Sequence, residues 1–275
     1  MNPIPALPVV AGAVAYALRA RTLRERGRPV PGSTQAWFWA GAAVLLVAVF
    51  LPDDRFGVHM SQHLLLGDLG ALFVVLGLNG ALLRPVLAVP GLSRLRALAH
   101  PLVALPLWAV TFVIWHLSGP YDSALDHSAV HAAEHASFFV AGALMWAAVV
   151  EPLPGPAWFG TGPKAIYTLI VRVIGMGIAS VFIWADTSFY DGYSLHDQRV
   201  GGLIMFTEGG VVTLAVFAWL FLRWWAETER RQQLIEQGHD PQQAQRTARH
   251  WPRLQRPPAG ARSTPSAAAR DKSSE

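Results

Sequence analysis

The sequence contains no cysteine among its 275 residues. That absence excludes disulfides, thiolate metal sites and every chaperone scheme in which a CxxC pair carries copper. Any metal must therefore be held by histidine, methionine, carboxylate or backbone oxygen. Charged residues are also scarce, at 15% of the chain, and only two of its 22 basic residues are lysines. The formal charge of +4 does not point to nucleic acid as a partner. Most of the basic residues lie in two loops and the last fifty residues, as in a membrane protein that keeps positive charge on its cytoplasmic side. No charge precedes Arg19, so the positive start of a signal peptide is missing, and the first apolar block is expected to be a retained span.

The chain is instead rich in apolar residues, which make up 52% of it, with eleven Trp. They come in long blocks rather than in amphipathic patterns. The expected fold is all-α, a polytopic membrane protein with a lipid bilayer as its solvent. Apolar stretches near 3–20, 35–52, 58–83, 99–118, 129–150, 164–185 and 200–223 predict seven transmembrane helices. Pro3, Pro5 and Pro8 crowd the start of the first, where a helix tolerates proline.

Orientation follows from the connections. Arg19, Arg21, Arg24, Arg26 and Arg28 fill the first; Arg84, Arg94 and Arg96 fill the third; ten basic residues follow from Arg223 onward. The alternate connections hold only Arg55 and Arg199. The positive-inside rule puts the N-terminus outside and the C-terminus in the cytoplasm. The domain division expected is a seven-helix membrane domain, 1–225, and a cytoplasmic basic tail, 226–275. In that tail a charged stretch from Glu227 to Gln237 has helical potential, and the Pro-, Ser- and Ala-rich remainder is expected to be disordered. No internal repeat is evident.

Chemistry concentrates in His127-Ser128-Ala129-Val130-His131-Ala132-Ala133-Glu134-His135, at the mouth of the fifth apolar block. Residues four apart drift only about 40° around a helix, so His127, His131, Glu134 and His135 share a stripe. Val58-His59-Met60-Ser61-Gln62-His63 repeats the spacing and adds a thioether. On the expected topology His59, His63, His116, His127, His131, His135 and His196 all fall on the outer side, and two His pairs offer four nitrogen ligands at similar depth. Imidazole with thioether favours copper, whereas imidazole with carboxylate also suits zinc. Met60 is either a soft ligand or packing, and His116 either a further ligand or a hydrogen-bonding neighbour of Trp115. Asp186 and Asp197 either orient ligating imidazoles or cap helix ends.

His131-x-x-Glu134-His135 also matches the H-x-x-E-H string of one zinc peptidase group, a short pattern that arises easily by chance. Three further ionisable residues, Asp68, Arg172 and Glu208, lie about 12–15 Å from the expected span ends, near mid-membrane. Pairing of Arg172 with Asp68 or Glu208 is expected, because isolated charges there are costly.

Taken together, four segments resemble a known family: His59-Met60-x-Gln62-His63-Leu64-Leu65; Trp115-His116 ahead of Tyr121-Asp122; His131-x-x-Glu134-His135-x-x-Phe138-Phe139; and Asp197-Gln198-x-x-Gly201-Gly202-x-x-Met205. They resemble the CtaG family of multi-span, caa-type cytochrome c oxidase assembly factors, over roughly residues 35–225. The resemblance implies a non-enzymatic protein of the bacterial cytoplasmic membrane that matures a haem-copper oxidase through copper supply. It implies an oxidase subunit or another copper-handling assembly protein as partner. His59, His63, His116, His131 and His135 are the ligands inferred from it, with Met60 a candidate soft ligand beside them; Glu134, Asp186 and Asp197 are peripheral, and so is His127, which lies outside the family pattern. Two other functions use the same residues. One is a membrane-embedded zinc-dependent hydrolase with Glu134 or an aspartate as base; the other is a proton or metal-ion transporter whose path is lined by Asp68, Arg172 and Glu208.

Overall fold

A computed structural model describes residues 4–52, 54–89 and 95–254. The regular structure among them is helical, with no strand. A 3₁₀ turn, Ile4–Ala6, leads into α1 (Leu7–Glu25), followed by α2 (Gly32–Phe50). The next span is α3 (Phe56–Leu64), a π-helical turn (Leu65–Gly70) and α4 (Ala71–Leu76) in sequence. Then come α5 (Gly80–Leu87), α6 (Leu95–Leu98), α7 (Pro101–Trp115), α8 (Ser118–Asp126), α9 (Ser128–Val150), α10 (Thr161–Trp184), α11 (Leu195–Glu236) and α12 (Pro241–Leu254).

Among the described residues six helical stretches are long and apolar enough to cross a membrane, and α7 with α8 makes a seventh if that pair, bent by 70°, is one span. The fourth expected span is thus the one that departs from a simple rod. α7 opens with Pro101 in its first turn, where the missing N–H costs nothing, and stops at Trp115 after only 15 residues. The third ends earlier than expected, at Leu76. Gly77 packs directly on the Phe38 backbone, and Asn79 accepts hydrogen bonds from the N–H groups of Ala81 and Leu82 to start α5 afresh. α11 runs for 42 residues, roughly 63 Å at helical rise and about twice an apolar bilayer core.

The chain forms two compact units, Met1–Ala218 and Trp219–Glu275, and the division lies inside α11. Within the second unit Arg223 pairs with Glu227 at 2.8 Å and lies 5.6 Å over the Trp219 ring. α12 forms a helix where disorder is expected; the remainder of that expectation, residues 255–275, lies outside the described residues.

In the first unit glycines set how closely the spans approach. Gly142 of α9 rests on the carbonyl of Gly67 in the π turn, so tightly that a Cβ at position 142 would overlap it. Gly201 of α11 meets the Phe56 ring and Gly202 meets the carbonyl of Ala179, which is the small-residue packing that the Gly201-Gly202 pair predicts. Phe56, Met60, Tyr121, Ala179, Phe182, Tyr190 and Met205 close into one buried cluster where α3, α8, α10 and α11 converge. That cluster is the floor on which the histidines stand.

Candidate metal centre

α3 and α9 bring the two histidine pairs together. α3 begins at Phe56 because the Asp197 carboxylate, from the first turn of α11, accepts hydrogen bonds from the Phe56 N–H at 2.7 Å and the Gly57 N–H at 3.4 Å. Asp197 therefore caps a helix start, at the end where the dipole favours an anion. Gln62 Nε2 donates to the Leu51 carbonyl at 2.8 Å and ties α3 to the end of α2. His59 and His63, one turn apart, then point together into the bundle, at 0% and 5% exposure.

α9 presents Glu134, with 0% exposure, between half-buried His131 and His135. Its backbone is tied locally: Trp115 Nε1 donates to Ser137 Oγ at 2.7 Å, and that hydroxyl donates to the Glu134 carbonyl at 2.8 Å. One donor atom each from His59, His131, Glu134 and His135 lie within 4.8 Å of one another. His63 joins from the other side, with Nε2 3.3 Å from Glu134 Oε1, while His59 Nε2 is 3.6 Å from Oε2. The Nε2 atoms of His131 and His135 are 3.0 Å apart. Four imidazoles thus surround one carboxylate.

Three of these side chains, His59, His63 and Glu134, are short of partners among the described residues. Both ring nitrogens of His59 and of His63, and both carboxylate oxygens of Glu134, are buried without an aligned hydrogen bond among the described residues. Buried polar atoms left so are rare and costly, and an ion at the centre removes the cost. Donors around a tetrahedral metal at about 2.1 Å stand about 3.4 Å apart, so side-chain rotations of an ångström or so close the 4.8 Å cluster. The set is nitrogen and oxygen only, which fits copper or zinc.

His116 stands at the α7–α8 bend. Its Nδ1 lies 2.6 Å from the Phe112 carbonyl; because a carbonyl only accepts, Nδ1 carries the proton and Nε2 keeps its lone pair. That Nε2 is buried without a hydrogen-bond partner among the described residues, and the ring is 6.4 Å from the ring of His63. Tyr190 Oη donates to the His116 carbonyl at 2.8 Å. In the loop before α11, burial above all, and then Asp122 and Glu134, push the Tyr190 hydroxyl above its usual range, so it stays a neutral donor. The Tyr121 ring, 4.1 Å from that of Tyr190 and 5.1 Å from His59, ties that floor to the histidines, and Phe138 stacks on His63 at 4.2 Å.

Other expected site residues lie apart. Met60 is buried in the aromatic floor and also borders a small cavity shared with His63 and His116. His127 is exposed, with Nδ1 3.2 Å from the Ser123 carbonyl, and is not in the four-residue cluster. Asp186 is exposed in the loop after α10 and likewise outside the cluster.

Two roles were hidden from sequence reasoning. Tyr190 holds His116 across 74 positions of chain, and Gln198, fully buried, accepts from the Phe189 N–H at 2.7 Å to shape the same loop. No periodicity signals either, since both depend on where a loop folds back.

With this geometry in view, the comparison with known families is decisive. The model of the family described as cytochrome c oxidase caa3 assembly factor (Caa3_CtaG) matches residues 14–227. The chain belongs to this family. Among curated proteins, the CtaG-type chain is similar to an uncharacterized protein of Mycobacterium bovis and to one of Mycobacterium tuberculosis, each 25% identical over 260 residues. The match covers 82% of this chain but 39% of each relative, so it spans well under half of their length. No solved structure matches.

Proposed function

We propose that the protein helps mature a haem-copper cytochrome c oxidase by holding copper in the His59, His63, His131, Glu134 and His135 centre and passing it to an oxidase subunit or another copper-handling assembly protein. Family membership supports the assembly role. The observation that carries the copper reading is the convergence of His59, His131, Glu134 and His135 donor atoms within 4.8 Å, with the ring nitrogens of His59 and His63 and the carboxylate oxygens of Glu134 buried without a hydrogen bond among the described residues. Copper heads the affinity order for such donors among divalent first-row metals, and the single carboxylate offsets part of the ion's charge in a dry setting.

The distribution of arginine supports an orientation with the N-terminus outside, the tail in the cytoplasm, and the starts of α3 and α9 at the outer leaflet of the bacterial cytoplasmic membrane. Copper there is cargo. His116, with its proton fixed on Nδ1, is a further nitrogen donor beside His63 toward which the ion can exchange. Ligand exchange among imidazoles breaks no covalent bond in the protein, so the role is that of a metallochaperone rather than an enzyme.

The test is made in cells that depend on this protein for oxidase maturation. Replacing His63 and His135 together by Ala should leave the oxidase polypeptides in the membrane and abolish their activity. Full oxidase activity with the double variant would overturn the reading.

A further inference from the structure

Inside the bundle an Asp68–Arg172 pair lies against Gly209, next in the chain to a second buried carboxylate, that of Glu208. Asp68 lies in the π turn, Arg172 in α10 and Glu208 in α11. Arg172 Nη2 is 3.7 Å from Asp68 Oδ2, and Asp68 Oδ1 accepts from Trp146 Nε1 at 2.9 Å. Arg172 Nε donates to Thr213 Oγ1 at 2.6 Å, and that hydroxyl donates to the Gly209 carbonyl at 2.7 Å. The guanidinium lies against Gly209 itself, where a Cβ would overlap Nη1, and so sits on the residue that follows Glu208. Asp68 and Arg172 are the charged groups that act on Glu208. Both oxygens of the Glu208 carboxylate are nevertheless buried without a hydrogen bond among the described residues.

Charge counting decides what the trio holds. An arginine stays protonated in a protein. With both carboxylates ionised the trio carries a net negative charge in the membrane interior, which the low dielectric penalises heavily. One bound proton makes it neutral, and two acids facing one guanidinium share that proton as a pair. The surroundings suit exchange. Asp68 and Arg172 line a cavity of about 40 Å³ whose other walls include His63, His116 and Met60, with room for about three waters. Asp68 also lies on a π turn, a distortion that recurs at functional positions and that here is held in place by Gly142 of α9.

We infer that Asp68, Arg172 and Glu208 form a proton-binding site in the membrane interior, holding one exchangeable proton between the two carboxylates and opening onto the cavity behind His63 and His116. This goes beyond the copper centre and requires no metal, so it stands or falls separately from it.

Infrared spectroscopy of the metal-free protein in lipid bilayers, in H₂O and in D₂O, tests it. The wild type should show a carboxylic-acid C=O band, resolved above the amide I region, that moves down in D₂O. The band should vanish in Glu208→Gln, and also in Asp68→Asn, because Glu208 then ionises against Arg172. If either variant fails to fold, Glu208→Asp keeps a carboxyl and should shift the band instead. No exchangeable band in the wild type, a band that survives unchanged in Asp68→Asn, or one unmoved in Glu208→Asp would overturn the shared-proton site.

Discussion

Glu134 Oε1 stands 3.3 Å from His63 Nε2, with both side chains closed off from solvent and neither atom in an aligned hydrogen bond among the described residues. A carboxylate and an imidazole this close, from two different spans, mark the point about which α3 and α9 are arranged. In sequence Glu134 reads as a flank to His131 and His135; in space it is the hub that touches His59 and His63 as well.

Replacing that hub without changing its shape isolates its charge. Glu134→Gln should weaken metal binding by about 10–100-fold, the range seen when a group that orients or balances a metal centre is lost. Competition titration of purified protein against a chelator measures it. Affinity equal to wild type would remove Glu134 from the centre.

Asp197 reaches the centre only through the backbone, by receiving the first N–H groups of α3. Asp197→Ala should lower stability by about 1 kcal/mol, the typical worth of a helix cap, and let His59 wander, weakening metal binding too. Asp197→Asn keeps an oxygen acceptor and should fall between. A thermal melt and the same titration read both effects, and an unchanged Asp197→Ala protein would contradict the capping role.

Gly142 is required by contact rather than by flexibility. A methyl group there would meet the Gly67 carbonyl, part of the π turn that carries Asp68. Gly142→Ala should destabilise by about 1–3 kcal/mol through overpacking. Gly12→Ala, whose Cβ meets nothing within 4 Å, should show no such loss. Equal thermal midpoints for the two variants would mean that α9 does not depend on this approach.

Much of this arrangement is legible in the order of residues, and the exceptions have physical reasons. The four-residue spacing of His59 with His63, and of His131 with His135, marks two faces that helices alone can align. Counting helical rise places Asp68 and Arg172 at similar depth, and the structure pairs them at 3.7 Å. What spacing cannot show is which faces meet. Asp197 has two readings in the sequence, and only the fold, by carrying the start of α11 to the start of α3, makes it a cap. The buried pair of Lys164 and Glu151, at 2.9 Å, goes unnoticed because Glu151 lies at a helix end in a left-handed turn, with φ 55°. The 70° bend after Trp115 is equally silent, since the run through His116 stays apolar enough to continue a span. α12 is missed because its Gln- and Arg-rich composition reads as tail.

The central claim is that the histidines of α3 and α9 form one copper centre. Metal analysis of the purified wild-type protein beside the His63→Ala/His135→Ala double variant tests it most directly. Copper should be bound by the wild type and absent from the variant, with both proteins folded. Equal copper in the two, or zinc in the wild type accompanied by hydrolytic turnover, would contradict it.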